Sequence, residues 1–138
     1  MIMDAEAVLA QRGLPLVLRT LIVDDDVDMR FLVRMTIEVA NHGLSVAGEA
    51  ESGTAALDQI AKDRPEVVVL DNRMPGMTGL ETARRILADD PAQPIILFSA
   101  YLDADTVAEA KQLGIRAVMD KTEVDRLPET LWQLAPGA

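Results

Sequence analysis

The sequence has no cysteine, which removes disulfide bridges, thiolate nucleophiles and cysteine-ligated metals together. It is also poor in basic residues, with 13 Lys and Arg against 23 Asp and Glu and a net charge of −10. A nucleic-acid surface needs clustered cations to neutralise phosphates, so direct nucleic-acid binding is not expected. No apolar run approaches the length of a membrane span; Leu14 to Leu18 is among the short ones. The start, Met-Ile-Met-Asp-Ala-Glu, is acidic where a secretory signal is basic. There is no Gly-x-x-x-x-Gly-Lys-Ser/Thr phosphate loop, no internal repeat and no tract biased enough to suggest disorder. These absences leave a soluble chain without a membrane partner, and the missing cysteines fit a reducing cytoplasm. At 138 residues and 49% apolar content it is long enough for one domain with one sizeable core.

What is present is a regular alternation. Leu21-Ile22-Val23 reads as a buried strand that ends in the acidic run Asp24-Asp25-Asp26. Asp26 or Asp28 can cap the next segment, in which Val27, Phe31, Met35 and Val39 recur at helical spacing until Asn41-His42-Gly43 stops it. Ser45 to Glu49 is a second strand. Ser52 caps a helix carrying Ala56, Leu57 and Ile60, which must end before Pro65. Val67 to Leu70 is β-branched and apolar on both faces, the pattern of a strand buried on both sides, and it ends at Asp71. A Pro/Gly-rich loop follows, then a helix through Ala83, Ile86 and Leu87. Ile95 to Phe98 is a fourth strand, ending at Ser99. A helix from about Asp103 to Leu113 is closed by Gly114. Ala117-Val118-Met119 is a fifth strand, ending at Lys121, and a last helix places Val124, Leu127, Leu131 and Leu134 on one face.

Strands alternating with helices imply a doubly wound α/β fold, a parallel sheet covered on both faces. Right-handed crossovers leave few arrangements, of which the strand order 2-1-3-4-5 is one. In that order Asp24, Asp25, Asp71, Ser99 and Lys121 all gather at the carboxyl edge of the sheet, where such folds bind ligands. Three carboxylates drawn together must protonate or be neutralised by a cation. An all-oxygen site with water ligands suits Mg²⁺ or Mn²⁺ better than zinc. A metal on Asp25 and Asp71, helped by Asp24, leaves room for a phosphate oxygen. Asp71 is then a candidate nucleophile toward phosphorus, Lys121 a second positive charge and Ser99 a hydrogen-bond donor to the transferring group.

Four motifs carry a family resemblance: Leu-Ile-Val-Asp-Asp-Asp at 21–26, Val-Val-Leu-Asp-Asn-Arg-Met-Pro-Gly-Met-Thr-Gly-Leu-Glu at 68–81, Ile-Leu-Phe-Ser-Ala at 96–100, and Lys121. Each is modest alone, but in this order after successive strands they resemble the receiver domains of response regulators in two-component signalling, from about Arg19 to Leu134. The resemblance implies a five-stranded flavodoxin-like receiver fold over residues 19–136. Residues 1–18 read as a loosely ordered N-terminal extension, with a short helix from an Asp4 cap to Gly13 as the alternative. The resemblance also implies that Asp71 is the phosphoacceptor and that Asp24 and Asp25 are the acidic pair, with Asp25 a direct metal ligand. Arg73 would give its backbone carbonyl to the metal, Ser99 would be the switch hydroxyl, and Lys121 would contact the phosphate. It further implies a histidine kinase or phosphotransfer protein as donor. A downstream protein partner would then be met on the face of the fourth helix, fifth strand and fifth helix. Association of two copies is left open, and a switch rather than an enzyme is expected. The chain departs from the family pattern at Thr78, where Asp or Asn is common, and at Thr122, where a proline often follows the lysine. Val118 falls where many receivers carry a switch aromatic, and Tyr101 is the candidate substitute.

Other readings fit less well. A haloacid dehalogenase-like phosphatase wants Asp-x-Asp-x-Thr/Val, and Asp28 stands at the last of those positions. A flavodoxin-like electron carrier needs a Ser/Thr/Gly phosphate loop where this chain has an acidic run. A receiver-shaped adaptor that is never phosphorylated would not require Asp25, Asp71, Ser99 and Lys121 together. The opening Met and the end at Pro136-Gly137-Ala138 suggest a stand-alone receiver, with the receiver part of a longer DNA-binding regulator as the alternative. His42 sits in a helix-stop tripeptide and is discounted as a phosphotransfer residue. Trp132 is placed at the surface, and the methionines in the packing, apart from Met74 and Met77 in the loop.

Overall fold

The computed structural model describes residues 17–134. The helix read between Asp4 and Gly13 lies outside the described residues, as do 135–138. Five parallel strands, β1 (Leu18–Val23), β2 (Leu44–Ala50), β3 (Val67–Leu70), β4 (Ile95–Ser99) and β5 (Ala117–Asp120), form one sheet in the order 2-1-3-4-5, as expected. The helices are α1 (Val27–Ala40), α2 (Gly53–Lys62), α3 (Gly79–Asp89), α4 (Ala104–Leu113) and α5 (Leu127–Gln133). Leu18, three residues before the first strand read from sequence, opens β1 and is fully buried. Among the described residues no helix is long and apolar enough to cross a membrane.

The alternation of side chains along the strands builds two cores. Leu18 and Ile22 of β1 and Val67 and Val69 of β3 face α1 and α5, meeting Val33, Ile37, Leu127 and Leu131. Leu21, Val23, Val68 and Leu70 face the opposite side, meeting Ala56, Ile60, Ala83, Ile86 and Ala110 from α2, α3 and α4. Burial on both faces is why β3 reads as an unbroken apolar run.

Local chemistry sets the helix ends. Asp26, Ser52, Thr78 and Asp103 each cap a helix by accepting a backbone N–H with the side chain, and Gly114 closes α4 at φ 96°. Asn41, His42 and Gly43 all have positive φ, which turns the chain out of α1 into β2.

Two expectations need correction, and the facing of α1, which spacing left open, is decided. Helix α1 is present, but Val27, Phe31, Met35 and Val39 lie on its outer face, with Phe31 63% and Val39 78% exposed, while Val33 and Ile37 are buried. The segment carries two apolar rows, and spacing alone does not say which meets the sheet. The last helix is split, with a 3₁₀ turn over Lys121–Arg126 preceding α5. Pro128 has no N–H to give the Val124 carbonyl, which instead accepts from Leu127. Met74 is buried in the core beside β3 rather than free in the loop.

Candidate functional site

The parallel sheet delivers the expected residues to one edge. Asp24 directly follows β1, Asp71 follows β3, Ser99 ends β4, and Lys121 follows β5. Backbone ladder bonds fix the first two: the Asp24 N–H donates to the Ala50 carbonyl and the Asp71 N–H to the Val23 carbonyl. Asp24 and Asp71 are 3% and 4% exposed, and Ser99 is fully buried, whereas Asp25 points to solvent.

Their side chains form a connected set. Ser99 Oγ donates to Asp71 Oδ1 at 3.0 Å. Lys121 Nζ lies 2.8 Å from Asp24 Oδ2 and 3.3 Å from Asp71 Oδ2, bridging the two buried carboxylates. Asp24 Oδ1 accepts from the Asp26 N–H at 2.9 Å, and Arg30 donates to the Asp24 carbonyl at 2.7 Å. One oxygen from each of Asp24, Asp25 and Asp71 lies within 4.8 Å of the others, close enough for a single cation to touch all three. The donor set is entirely carboxylate oxygen, which suits a hard divalent ion such as Mg²⁺ or Mn²⁺.

Burial is the largest influence on Asp24 and raises its pKa above the ordinary 3.8; the Asp71 charge adds to this, while the hydrogen bond from Lys121 pulls the other way. For Lys121, burial alone would lower the pKa, but the hydrogen bond to Asp24 and the charges of Asp24 and Asp71 outweigh it, and the pKa rises. Both shifts rise for one reason. A single ammonium serves two buried carboxylates, so it is well compensated while Asp24 is not.

The loop after Asp71 is pinned. The Gly79 N–H donates to the Asn72 carbonyl at 2.9 Å and the Leu80 N–H to Asn72 Oδ1 at 3.0 Å. A Cβ on Gly79 would stand 2.2 Å from the Asp71 carbonyl oxygen and 2.7 Å from Asn72 Cα, so only glycine lets α3 start this close to the site. The Arg73 guanidinium stacks 4.2 Å above the Tyr101 ring at the rim. Sequence reasoning did not single out Asn72. An Asn two residues beyond the end of a strand and before a Gly-closed loop is the signal that points to it.

The profile described as "Response regulator receiver domain" matches residues 20–131. This chain belongs to the response-regulator receiver family. The receiver is 33% identical over 119 residues to sporulation initiation phosphotransferase F of Bacillus subtilis, covering 86% of this chain and 94% of that protein. It is 40% identical over 99 residues to a protein-glutamate methylesterase/protein-glutamine glutaminase of Bacillus licheniformis, covering 70% of this chain but 27% of that protein. The receiver thus spans about a quarter of the methylesterase and nearly all of the phosphotransferase. Among solved structures it is similar to the signal receiver domain of the putative response regulator NarL from Mycobacterium tuberculosis, at 29% identity and TM-score 0.76, covering 86% of this chain and 98% of that one.

Proposed function

We propose that this receiver accepts a phosphoryl group on Asp71 and uses the resulting acyl phosphate as a signal. The observation that carries the reading is the surroundings of Asp71: a buried carboxylate with a hydroxyl donor on one oxygen and an ammonium near the other, beside two further aspartates. In the transfer, an Asp71 oxygen attacks phosphorus, the bond from phosphorus to the donor's leaving group breaks, and the leaving group departs with that electron pair. Lys121 meets the charge on the phosphoryl oxygens and Ser99 donates a hydrogen bond to one of them. Asp24, Asp25, Asp71 and the Arg73 backbone carbonyl are the residues that would hold Mg²⁺, or Mn²⁺ in its place. That ion would screen the repulsion between an anionic donor and an anionic carboxylate.

The donor in this reading is a histidine kinase or phosphotransfer protein, the setting is the cytoplasm, and the output is a protein partner met on the α4–β5–α5 face. That face carries an open groove of about 390 Å³ lined by Leu102, Val107, Ile115 and Val118 with Lys111 and Glu123 at its edge. Val118 on this groove contributes no aromatic ring. A second reading, the receiver portion of a longer regulator, is favoured by the small share of the methylesterase that this chain covers.

Intact-mass spectrometry after incubation with acetyl phosphate and Mg²⁺ tests the proposal. A gain of one phosphoryl group, lost in Asp71→Asn and lost on adding EDTA, is the expected result. A gain that survives Asp71→Asn would move the acceptor elsewhere and overturn the assignment.

A further inference from the structure

Lys121 reaches the site from a segment with little to hold it. None of the six residues of the 3₁₀ turn Lys121–Arg126 is buried, and Glu123 within it departs from helical geometry at φ −94°, ψ 20°. Upstream, the last ladder position is Asp120, on the edge strand β5 opposite Ser99; downstream, the first fully buried anchor is Leu127. Between these anchors the backbone is tied by a reciprocal set of hydrogen bonds. Asp120 Oδ1 accepts from the Thr122 N–H at 2.9 Å and from Thr122 Oγ1 at 2.8 Å, while the Asp120 N–H donates to Glu123 Oε1 at 3.0 Å. The box encloses Lys121, the residue that follows the edge strand. Glu123 has one further partner, Arg126 at 4.0 Å, in an exposed pair of the kind that contributes little.

We propose that Glu123, acting with Asp120 and Thr122, is a positioning residue that aims the Lys121 ammonium at Asp24 and Asp71. Glu123 touches neither carboxylate and works only through the backbone of the turn. The consequence for phosphoryl transfer rests on Asp71 being the acceptor; the consequence for the metal-free site does not.

The test compares Glu123→Ala, Glu123→Gln, Arg126→Ala and Lys121→Met with wild type. The first readout is the carbon-13 resonance of the Asp24 and Asp71 carboxyls in metal-free protein, which senses the neighbouring ammonium. Glu123→Ala is expected to move both resonances part of the way toward their Lys121→Met positions. Glu123→Gln keeps an amide oxygen for the Asp120 N–H and should leave them in place, as should Arg126→Ala. The second readout is Mg²⁺ affinity. Because Lys121 occupies an oxygen of Asp24, loosening it should tighten Mg²⁺ binding by about fivefold, the size of one lost hydrogen-bonded anchor. General damage to the fold would instead weaken binding. Labelling by acetyl phosphate should slow by a similar factor. Carboxyl spectra of Glu123→Ala that match wild type, or weaker Mg²⁺ binding, would overturn the inference. A wild type that takes no label would remove the proposed function, while the carboxyl spectra would still decide the role of Glu123.

Discussion

Replacing Asp24 with asparagine should stabilise the metal-free receiver while damaging its metal site. Asp24 is almost fully buried, shares Lys121 with Asp71, and has its pKa raised above 3.8 chiefly by burial. The sign follows from linkage. A carboxyl that holds its proton more tightly in the folded than in the unfolded state makes folding less favourable as pH rises through that interval. Below about 3.8, Asp24 is protonated in both states and Asp24→Asn should change little. Above the raised folded value the full penalty is present, and asparagine removes it while keeping its one oxygen toward the Asp26 N–H and leaving Lys121 to Asp71. Replacing poorly compensated buried charge with a neutral group of the same size gains on the order of 1–4 kcal/mol. Lys121 already offsets part of the penalty here, so a gain of about 1–2 kcal/mol at pH 7 is expected. Urea unfolding in EDTA, followed by the fluorescence of the single tryptophan, Trp132, measures it between pH 3 and pH 8. With Mg²⁺ added at one hundred times its dissociation constant, the wild type should gain about 2.7 kcal/mol and overtake the variant, which has lost a ligand. A variant less stable than wild type in EDTA at pH 7, or a difference that does not change with pH, would refute the reasoning.

Three further outcomes follow from the packing and the rim. Thr20 is fully buried in β1 and its hydroxyl finds no partner among the described residues, so Thr20→Val should raise stability by about 1 kcal/mol; a loss of that size in urea unfolding would count against it. Ile37→Ala should cost about 2–5 kcal/mol while Phe31→Ala stays within roughly 0.5 kcal/mol, and the reverse order would mean that α1 packs by its other row. Arg73, two residues after Asp71, stacks on Tyr101, and the pair is expected to stand across the approach of a water attacking an acyl phosphate on Asp71. The double change to alanine should therefore shorten the phosphoryl lifetime measured by loss of mass label, and a longer lifetime would end the steric argument.

Most of the fold was legible because its determinants are local. Asp26, Ser52, Asp103 and Gly114 cap or close helices through bonds within a few residues, and the β-branched run of β3 advertises burial on both faces. The site was legible for a different reason. Once the strands are parallel, any residue directly after a strand arrives at the same edge, so Asp24, Asp71, Ser99 and Lys121 need no tertiary knowledge to be grouped. Even the departure at Thr78 is absorbed locally, since Thr78 Oγ1 accepts from the Glu81 N–H as a helix cap. What stayed hidden depends on facing and on competition between nearby partners. The outer row of α1 has the same spacing as a buried row, and only the sheet's position separates them. The split of the last helix turns on the missing N–H of Pro128, a proline at a position where helices ordinarily tolerate one. Trp132 is half-buried, and its indole donates to the His42 carbonyl 90 residues away, a contact that helical spacing in α5 cannot announce.

Lys121 carries the conflict between folding and signalling in this chain. In the metal-free protein it is the one ammonium within reach of the two buried carboxylates among the described residues, and it compensates them together. A cation shared by Asp24, Asp25 and Asp71 would take over that compensation at Asp24, freeing Lys121 to face whatever anion comes to Asp71. The placement of Asp25 suits this exchange. It is solvent-exposed, costs the metal-free fold little, and can complete a ligand set without adding a third buried charge. Such an exchange would suit a Lys121 rooted in a short surface turn rather than in a packed helix. A side chain that must stabilise one arrangement and then serve another needs a fixed root and a movable end.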